Sequence, residues 1–485
     1  MRRLLPVFFL FLINLAPAQA PPPPVPDLST AAGLGAELFA NSGAIGMVVV
    51  VVRDNQVFFH GYGETSPKSS IAPYTDSVVR LCSLTKIFTT DVLAKLVKQQ
   101  IVHLDDPLQR YAPKRVLVPT RVQPITLEDL ATHTSGLPRE LGSRPRKIPP
   151  FAYPDFDVRW QWLPHQTLAS VPGSAAVYSN IGFDLLGDAL ESASQKPYAA
   201  LLAEQTLNPL GMRQTTLYPN QIQCDRLLRS KDNEPCAFTE ATEGSAGLYS
   251  TPADMTTWLK YLLGTGGPAI PAQDFAARAV YLDPALLTKQ VGLDHAGRPT
   301  GIGLGWMHLL PSGDPAHIIE KTGGGAGFTS YIAMIPARRI AIFFAFSEGA
   351  GWKQNVFKQA NNILLNLAGL PPLPEEPFKP RTKSRSRRRH PGHAPATRPA
   401  QASLKLAAKH CLDVRQAFLE RLHFVHQIKC ARQADRVIKR FLRVAVTGRR
   451  IARRMRLVHQ VVRFLSDSLA SCERSELLFS IRFSH

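Results

Sequence analysis

The stretch SLTKIFTTDVLAKLVKQ, residues 83–99, decides how this chain is expected to fold and act. Its apolar residues recur with helical spacing from Leu84 to Gln99, which predicts a long helix that Ser83 opens. Lys86 lies three positions after Ser83 on the same helix face, where its amine can reach the serine hydroxyl. Because the N–H groups at a helix start stabilise a developing anion, Ser83 is the candidate nucleophile and Lys86 a candidate base.

Two later motifs supply what this pair lacks, and the first of them is Tyr178-Ser179-Asn180. A lysine accepts a proton only when it is neutral, so Lys86 must be buried near other positive charge to lower its pKa from about 10.4. A phenol beside two ammonium groups is biased toward its ionised form, which makes Tyr178 a candidate catalytic proton shuttle to the leaving amine. Asn180 can hydrogen-bond both the lysine and a substrate amide.

The second motif is Lys321-Thr322-Gly323, which runs on into further glycines. Lys321 is the other ammonium group of the expected site, and Lys321 and Thr322 are expected to bind substrate. The missing side chains of Gly323 and Gly324 let a backbone strand approach the substrate closely. The N–H groups of Gly324 and Ser83 are the expected donors to the oxyanion.

Each motif has an ordinary interpretation when it is taken alone. A serine three residues before a lysine is typical of a helix N-cap with a solvated lysine. Tyr-Ser-Asn is typical of a turn before a helix, and Lys-Thr-Gly of a hairpin or loop. The three motifs occur in one order, each at the boundary of the element that the chemistry needs, and this combination favours a serine acyltransferase.

At these residues the chain resembles the class C beta-lactamase and low-molecular-weight penicillin-binding protein superfamily. The likeness extends to four further blocks, namely residues 125–138, 172–188, 208–212 and 247–255. The resemblance implies an α+β fold of the beta-lactamase/transpeptidase type, an antiparallel sheet flanked by helices with a large, mostly helical insertion. Within the superfamily the likeness is to periplasmic D-alanyl-D-alanine carboxypeptidase/endopeptidases, and it includes the pair Cys224 and Cys236.

The same resemblance implies a hydrolase that forms an acyl-enzyme on Ser83 with the D-alanyl-D-alanine ends or cross-links of peptidoglycan stem peptides and that binds beta-lactams. A beta-lactamase and an esterase of the same fold are alternatives. A non-enzymatic penicillin or cell-wall receptor is the alternative from another class, but recognition alone would not require Lys86 and Tyr178. No metal-ligand spacing stands out, so neither a metal nor a cofactor is expected.

The N-terminal segment indicates export. Residues 1–18 have a charged start, a short apolar run and small residues at the end, which is typical of a signal peptide and predicts a periplasmic location. An uncleaved membrane anchor is the alternative. Export permits disulfides, so Cys224 and Cys236 are expected to form a bridge, with two unpaired thiols as the alternative. Cys82, directly before the nucleophile, is expected to be a buried apolar residue.

The charge of the chain is concentrated at its C-terminal end. The net charge is +20, and the segment from Lys379 onward carries all of it. The predicted organisation is a catalytic domain over 19–370, a Pro/Arg-rich linker over 371–400 and a basic, partly helical or disordered extension over 401–485. The extension is interpreted as lipid-binding, nucleic-acid-binding or without selected function. A nucleic-acid role fits poorly with export, so no nucleic-acid partner is expected, and an unselected extension with peripheral inner-membrane contact is favoured.

Hydrophobic patterns predict the order of elements within the domain. Strand patterns occupy residues 45–52, 56–62, 303–309, 328–335 and 340–346. Helical patterns occupy residues 84–99, 127–132, 181–192, 198–207, 252–263 and 355–367. Because most helices fall between the two groups of strands, we expect them to be inserted into an antiparallel sheet domain, with the active site between the two parts.

Overall fold

The computed structural model describes residues 25–373, except residues 143, 270 and 312. Seven strands of this part form one sheet, and four short strands form two small pairs. The strands are β1 Ala44–Arg53, β2 Gln56–Gly63, β3 Val79–Arg80, β4 Ala176–Val177, β5 Tyr249–Ser250, β6 Gln290–Val291, β7 Gly301–Ile302, β8 Met307–Leu309, β9 Ile318–Gly325, β10 Phe328–Ile335 and β11 Ile340–Glu348.

The seven-stranded sheet joins the two ends of the described chain. Its order is β2-β1-β11-β10-β9-β8-β7, and every neighbouring pair is antiparallel. The middle strands are rich in Val, Ile and Phe, which pack well on a pleated surface. In β1, for example, Val50 pairs with Phe343 of β11 and both side chains are fully buried. Side chains are buried on both faces of these strands because helices cover both faces.

The described α-helices range in length from 3 to 15 residues. They are α1 Ala31–Ser42, α2 Thr85–Lys98, α3 Leu127–Ala131, α4 Phe156–Trp162, α5 Asn180–Ser194, α6 Tyr198–Leu202, α7 Asn208–Leu210, α8 Gln221–Asp225, α9 Pro252–Leu263 and α10 Val356–Leu367. Helices α2 to α9 all lie between β2 and β9 in sequence, which is the large helical insertion that the sequence predicts. The predicted α+β class, an antiparallel sheet with flanking helices, is confirmed.

The sheet separates two hydrophobic cores. Alternate residues of a strand point to opposite faces, so Val49 packs with α1 and α10 while Val48 packs with α2 and α9. On the larger side, Phe88 of α2 stacks on Trp258 of α9 with ring centroids 4.0 Å apart. This packing fixes α2, the helix that follows Ser83, between the sheet and the other helices of the insertion.

Two predicted elements differ from the structure. Residues 303–309 do not form one strand, because the chain reverses at Gly305, which has a φ of 73°, between β7 and β8. The Gly305 N–H donates to the carbonyl oxygen of Ala131 at 2.8 Å, so this turn is held by the helical insertion. The predicted helix over 198–207 continues beyond α6 as a π-helical turn, Ala203–Leu207. Helices α1, α4, α7 and α8 were not predicted.

The predicted bounds of other elements agree with the structure. The helix over 252–263 and the strand over 328–335 are confirmed at both ends. Within the described residues, no helix combines the length and the apolar character needed to cross a bilayer. The predicted signal peptide, the basic extension and the linker beyond residue 373 lie outside the described residues.

Candidate active site

The candidate nucleophile lies in a turn between a strand and a helix. Strand β3 ends at Arg80, and residues 82–84 form a single 3₁₀ turn before α2 begins. Cys82 has a φ of 51°, a left-handed conformation that costs a non-glycine residue energy. The Thr85 hydroxyl secures the turn by donating to the Cys82 carbonyl oxygen at 2.7 Å. Ser83 is thereby presented in the first turn of the helical segment.

Two side chains contact the hydroxyl of Ser83. The Tyr178 hydroxyl donates to Ser83 Oγ at 2.7 Å, and Lys86 Nζ donates to it at 3.3 Å. Lys86 Nζ also donates to Asn180 Oδ1 at 2.6 Å and to the carbonyl oxygen of Ser245 at 2.8 Å. The structure therefore brings the first two predicted motifs together around one oxygen atom.

The electrostatics of Lys86 suit a base. Its side chain is fully buried, and burial lowers its pKa to about 7. The negative charges of Asp184 and Glu140 oppose this change, whereas the positive charge of Arg139 adds to it. A lysine with this pKa is neutral in a substantial fraction of molecules at neutral pH, and only the neutral amine accepts a proton.

Three cations surround the ring of Tyr178. The ring centroid lies 4.8 Å from Lys86 Nζ, 4.8 Å from the guanidinium carbon of Arg139 and 5.2 Å from Lys321 Nζ. On another side, His133 packs at 4.5 Å between centroids. Burial and these cations hold the pKa of His133 well below its usual range, and its Nδ1 accepts a hydrogen bond from the Ser179 N–H at 3.1 Å. His133 is therefore a neutral support for the tyrosine motif.

Strand β9 brings the third motif to the nucleophile. Gly323 pairs with Ser330 of β10, and a Cβ atom at Gly323 would lie 3.2 Å from the Ser83 nitrogen. It would also lie 2.7 Å from the Leu81 carbonyl oxygen, so the backbones of β9 and of the nucleophile turn are in direct contact. Lys321 Nζ donates to the Thr322 carbonyl oxygen at 3.0 Å. Burial lowers the pKa of Lys321, Tyr178 opposes this change, and the charge of Lys86 adds to it.

Residues that sequence reasoning missed complete the site. Asn180 Nδ2 donates to Glu140 Oε1 at 2.5 Å, so the amide proposed to contact substrate already has a protein partner. Because Lys86 Nζ donates to Asn180 Oδ1 and the Glu140 carboxylate can only accept, these two neighbours fix the orientation of the Asn180 amide. Arg139 and Glu140 directly follow the resemblance block 125–138, and this adjacency is the one feature of the sequence that could have drawn attention to them.

An acidic group lies behind the lysine. Asp184 is buried on α5 one turn after Asn180, and its Oδ1 has no hydrogen-bond partner among the described residues. Burial raises the pKa of Asp184 to about 7, against the lowering effect of the Arg159 charge. Arg159 itself forms a buried ion pair with Asp188 at 2.5 Å. The charge of Asp184 favours the protonated form of Lys86, and the charge of Lys86 favours the ionised form of Asp184.

Residues 33–365, more than half of the chain, match the protein family described as Beta-lactamase. The chain belongs to the beta-lactamase family. Its sequence is 43% identical over 339 residues to the D-alanyl-D-alanine-carboxypeptidase/endopeptidase AmpH of Escherichia coli K12, covering 69% of this chain and 88% of that protein. This AmpH relationship places the chain in the branch of the beta-lactamase family that the sequence resemblance predicts.

Solved structures of the beta-lactamase family agree. A Beta-lactamase/D-alanine Carboxypeptidase from Yersinia pestis, complexed with citrate, is 40% identical with a TM-score of 0.67, covering 70% of this chain and 99% of that one. A class C beta lactamase is 19% identical with a TM-score of 0.57, covering 70% of this chain and 96% of that one, and shows the shared fold alone. The named activities of the AmpH and Yersinia relatives are hydrolytic.

A disulfide closes a loop of this beta-lactamase family member, as predicted. Cys224 and Cys236 are bonded, with their Cα atoms 5.7 Å apart. The third cysteine of the described residues, Cys82, is buried, and burial raises its pKa to about 12, so its thiol stays protonated. Cys82 is therefore no competitor to Ser83 as nucleophile.

Proposed function

We propose that this protein is a periplasmic serine D,D-peptidase that cleaves the D-alanyl-D-alanine ends and cross-links of peptidoglycan peptides through an acyl-enzyme on Ser83. The observation that carries the proposal is the hydroxyl of Ser83 held between Tyr178 at 2.7 Å and Lys86 at 3.3 Å. The 43% identity to AmpH, a D-alanyl-D-alanine-carboxypeptidase/endopeptidase, supports the choice of substrate. Export by residues 1–18 would deliver the enzyme to that substrate.

Acylation follows from these contacts. Ser83 Oγ forms a bond to the carbonyl carbon of the penultimate D-alanine while its proton moves to neutral Lys86. The oxyanion is held by the N–H groups of Ser83 and Gly324. Tyr178 gives its hydroxyl proton to the leaving amine as the C–N bond breaks, and Lys86 returns a proton to Tyr178. Water then attacks the acyl carbon, the bond from that carbon to Ser83 Oγ breaks, and a proton of the water passes to Ser83 Oγ as the shortened peptide leaves.

Substrate binding is assigned to β9 and its surroundings. Lys321 and Thr322 would bind the terminal carboxylate, and the backbone at Gly323 and Gly324 would lie beside the peptide. The same groups would receive the carboxylate of a beta-lactam, whose ring-opening acylates Ser83. A beta-lactamase is the second candidate function, favoured because the Yersinia relative is named a Beta-lactamase/D-alanine Carboxypeptidase.

Purified protein mixed with muropeptides tests the proposal. The substrates are pentapeptide stems and cross-linked dimers, with a chromogenic cephalosporin in a parallel reaction. We expect release of D-alanine and conversion of dimers to monomers, with slow turnover of the cephalosporin. Ser83→Ala should abolish both peptide cleavage and labelling by a fluorescent penicillin, whereas Ser194→Ala, at the distant end of α5, should preserve them.

Two outcomes would contradict the proposal. If Ser83→Ala protein cleaves the peptides at the wild-type rate, Ser83 is not the nucleophile. Rapid cephalosporin turnover without D-alanine release would assign the protein to the beta-lactamases instead.

A further inference from the structure

A cavity of about 480 Å³ lies between α1 and α10, far from the groups that contact Ser83. These two helices pack on one face of the sheet, whereas α2 packs on the other face. The catalytic groups are not among the residues that line the cavity. The proposed reaction at Ser83 therefore gives this cavity no role.

A stripe of amide side chains runs along one wall of the cavity. It consists of Asn355, Gln359, Asn362 and Asn366, whose spacing of four, three and four residues places them on one face of α10. Each amide has both a donor and an acceptor, as does each peptide unit of a backbone. Successive amides are about 5.5 Å apart along the helix axis, and two residues of a polyproline II chain span about 6 Å. The stripe therefore matches the repeat of an extended backbone.

The end of the described chain already uses this stripe. After α10 the chain reverses at Gly369, which has a φ of 69°, and the Leu373 N–H donates to Asn362 Oδ1 at 2.9 Å. Leu370 and Pro372 line the same cavity. Because Leu373 is bonded to a residue 11 positions earlier, the chain runs back beside α10 toward the start of that helix. An amide of the stripe thus binds a backbone N–H in the way that an extended peptide requires.

The sequence that follows Leu373 suits the remaining part of the cavity. Residues 374–378, which lie outside the described residues, read Pro-Glu-Glu-Pro-Phe, and prolines favour the polyproline II conformation. Two residues of such a chain span about 6 Å, as do four residues of a helix, so two residues after Leu373 correspond to four before Asn362. This register brings Glu375 beside Lys358, a cation that lines the cavity and attracts a carboxylate.

We propose that the cavity between α1 and α10 is a peptide-binding groove that holds residues 374–378 of the same chain. The amides of α10 bind the backbone of this segment, and Lys358 binds the side chain of Glu375. Leu34 and Ile363, which also line the cavity, provide apolar surface for the proline rings. The bound segment ties α10 to α1. This inference goes beyond the proposed function and does not depend on it, because the groove and Ser83 are separate.

Limited proteolysis of the full chain with chymotrypsin tests the inference. The rate of cleavage after Phe378, followed by mass spectrometry, reports how often the segment leaves the groove. Lys358→Glu should speed this cleavage about fivefold, because an attraction becomes a repulsion. In the background of Glu375→Lys the same change restores opposite charges, so there Lys358→Glu should slow the cleavage about fivefold.

This change of sign separates the ion pair from a general loss of stability. If Lys358→Glu only destabilised α10, it would speed cleavage in both backgrounds. Lys114→Glu, a charge reversal on an exposed loop of the helical insertion, is the matched control and should leave the rate unchanged in both. Labelling of Ser83 by a fluorescent penicillin should stay at the wild-type level in every variant, which shows that the catalytic domain is folded.

The amide stripe has its own test. Asn362→Ala removes the acceptor of the Leu373 N–H and should also speed cleavage after Phe378 about fivefold. Equal rates for wild type and Lys358→Glu, or acceleration by Lys358→Glu in both backgrounds, would overturn the proposal. Protection that disappears on dilution would place the segment in the groove of a second copy and would overturn its assignment to the same chain.

Discussion

The proposed reactivity of Ser83 depends on opposing influences on one amine, that of Lys86. Burial lowers the pKa of Lys86 to about 7, while the nearby charges of Asp184 and Glu140 limit that change. Removing either carboxylate would favour the neutral amine, and removing Arg139 would favour the ammonium. The working pH range of the site is therefore set by residues that do not touch Ser83.

The variant Asp184→Asn tests this balance. Lys86 accepts a proton only when neutral, so activity falls as the pH drops through its pKa. Loss of the Asp184 charge lowers that pKa further, and the acid limb of kcat/KM against pH should move to lower pH. The rate of labelling by a fluorescent penicillin across pH values is the measurement. Asp54→Asn, in the exposed β1–β2 turn, should leave the limb in place, and an upward move of the limb in Asp184→Asn would refute the assignment.

A second prediction concerns the contact between β9 and the nucleophile turn. In Gly323→Ala the new Cβ would lie 2.2 Å from Ser330 Oγ and 2.7 Å from the Leu81 carbonyl oxygen. The hydroxyl can rotate but the carbonyl is backbone, so β9 must move away from Ser83. A displacement of this size should slow acylation about a hundredfold, with a stability loss of about 1–3 kcal/mol.

Stopped-flow acylation and urea unfolding measure the two effects of Gly323→Ala. Gly33→Ala is the control, because nothing lies within 4 Å of a Cβ at that position in α1. If Gly323→Ala protein is acylated at the wild-type rate, acylation does not require β9 to lie this close to the turn that carries Ser83.

The sequence predicted the residues that carry local signals and missed those that depend on tertiary contacts. Ser83 and Lys86 are recognisable because they are three positions apart on one helical segment. Glu140 meets Asn180 across 40 positions, and the Ser245 carbonyl meets Lys86 across 159, so no local pattern marks either contact. For the same reason, sequence motifs do not reveal that the backbone carbonyl of Ser245 accepts from Lys86.

At the scale of elements, helix α9 was predictable because both of its ends are encoded locally. The Thr251 hydroxyl accepts from the Asp254 N–H at 3.3 Å, Pro252 occupies the first turn, and Gly264 ends the helix with a φ of 64°. Strand prediction failed over 303–309 because Gly305 is bonded to Ala131, a residue far away in sequence. Elements with capping signals are thus recovered from sequence, and elements interrupted by tertiary contacts are not.

The cap of α9 yields a third prediction. Thr251→Ala removes the acceptor for the Asp254 N–H and should lower the free energy of unfolding by about 1 kcal/mol. Thr256→Ala, which alters a half-buried threonine within the same helix, should cost less, because its hydroxyl donates to a carbonyl oxygen that the helix already uses. Urea denaturation of both variants measures the difference, and equal costs would show that the cap contributes nothing specific.

At the scale of the whole described chain, the disulfide loop supports the strand that leads to the nucleophile. Arg80, the last residue of β3, donates to the Pro235 carbonyl oxygen at 2.5 Å and to the Tyr249 hydroxyl at 2.6 Å. Pro235 directly precedes the bonded Cys236, so the bridge holds the acceptor in place. The loop is therefore linked to the active site through one buried arginine.

The fourth prediction follows from this loop. The double variant Cys224→Ser with Cys236→Ser should lose about 2–4 kcal/mol of unfolding free energy, because the unfolded chain is no longer constrained. Acylation of Ser83 below the unfolding temperature should change little, because the Tyr249 hydroxyl still accepts from Arg80 when the bridge is absent. Thermal unfolding with and without a reductant provides the comparison. Wild-type protein that unfolds identically in both conditions would show that the bridge contributes no stability.

The nearness of Lys86 and Asp184 has a consequence for how the pH profile of the site is read. Burial favours the neutral form of each group, while the charge of each favours the charged form of the other. The two groups therefore titrate as a pair, and the acidity that a kinetic experiment reports belongs to both residues together.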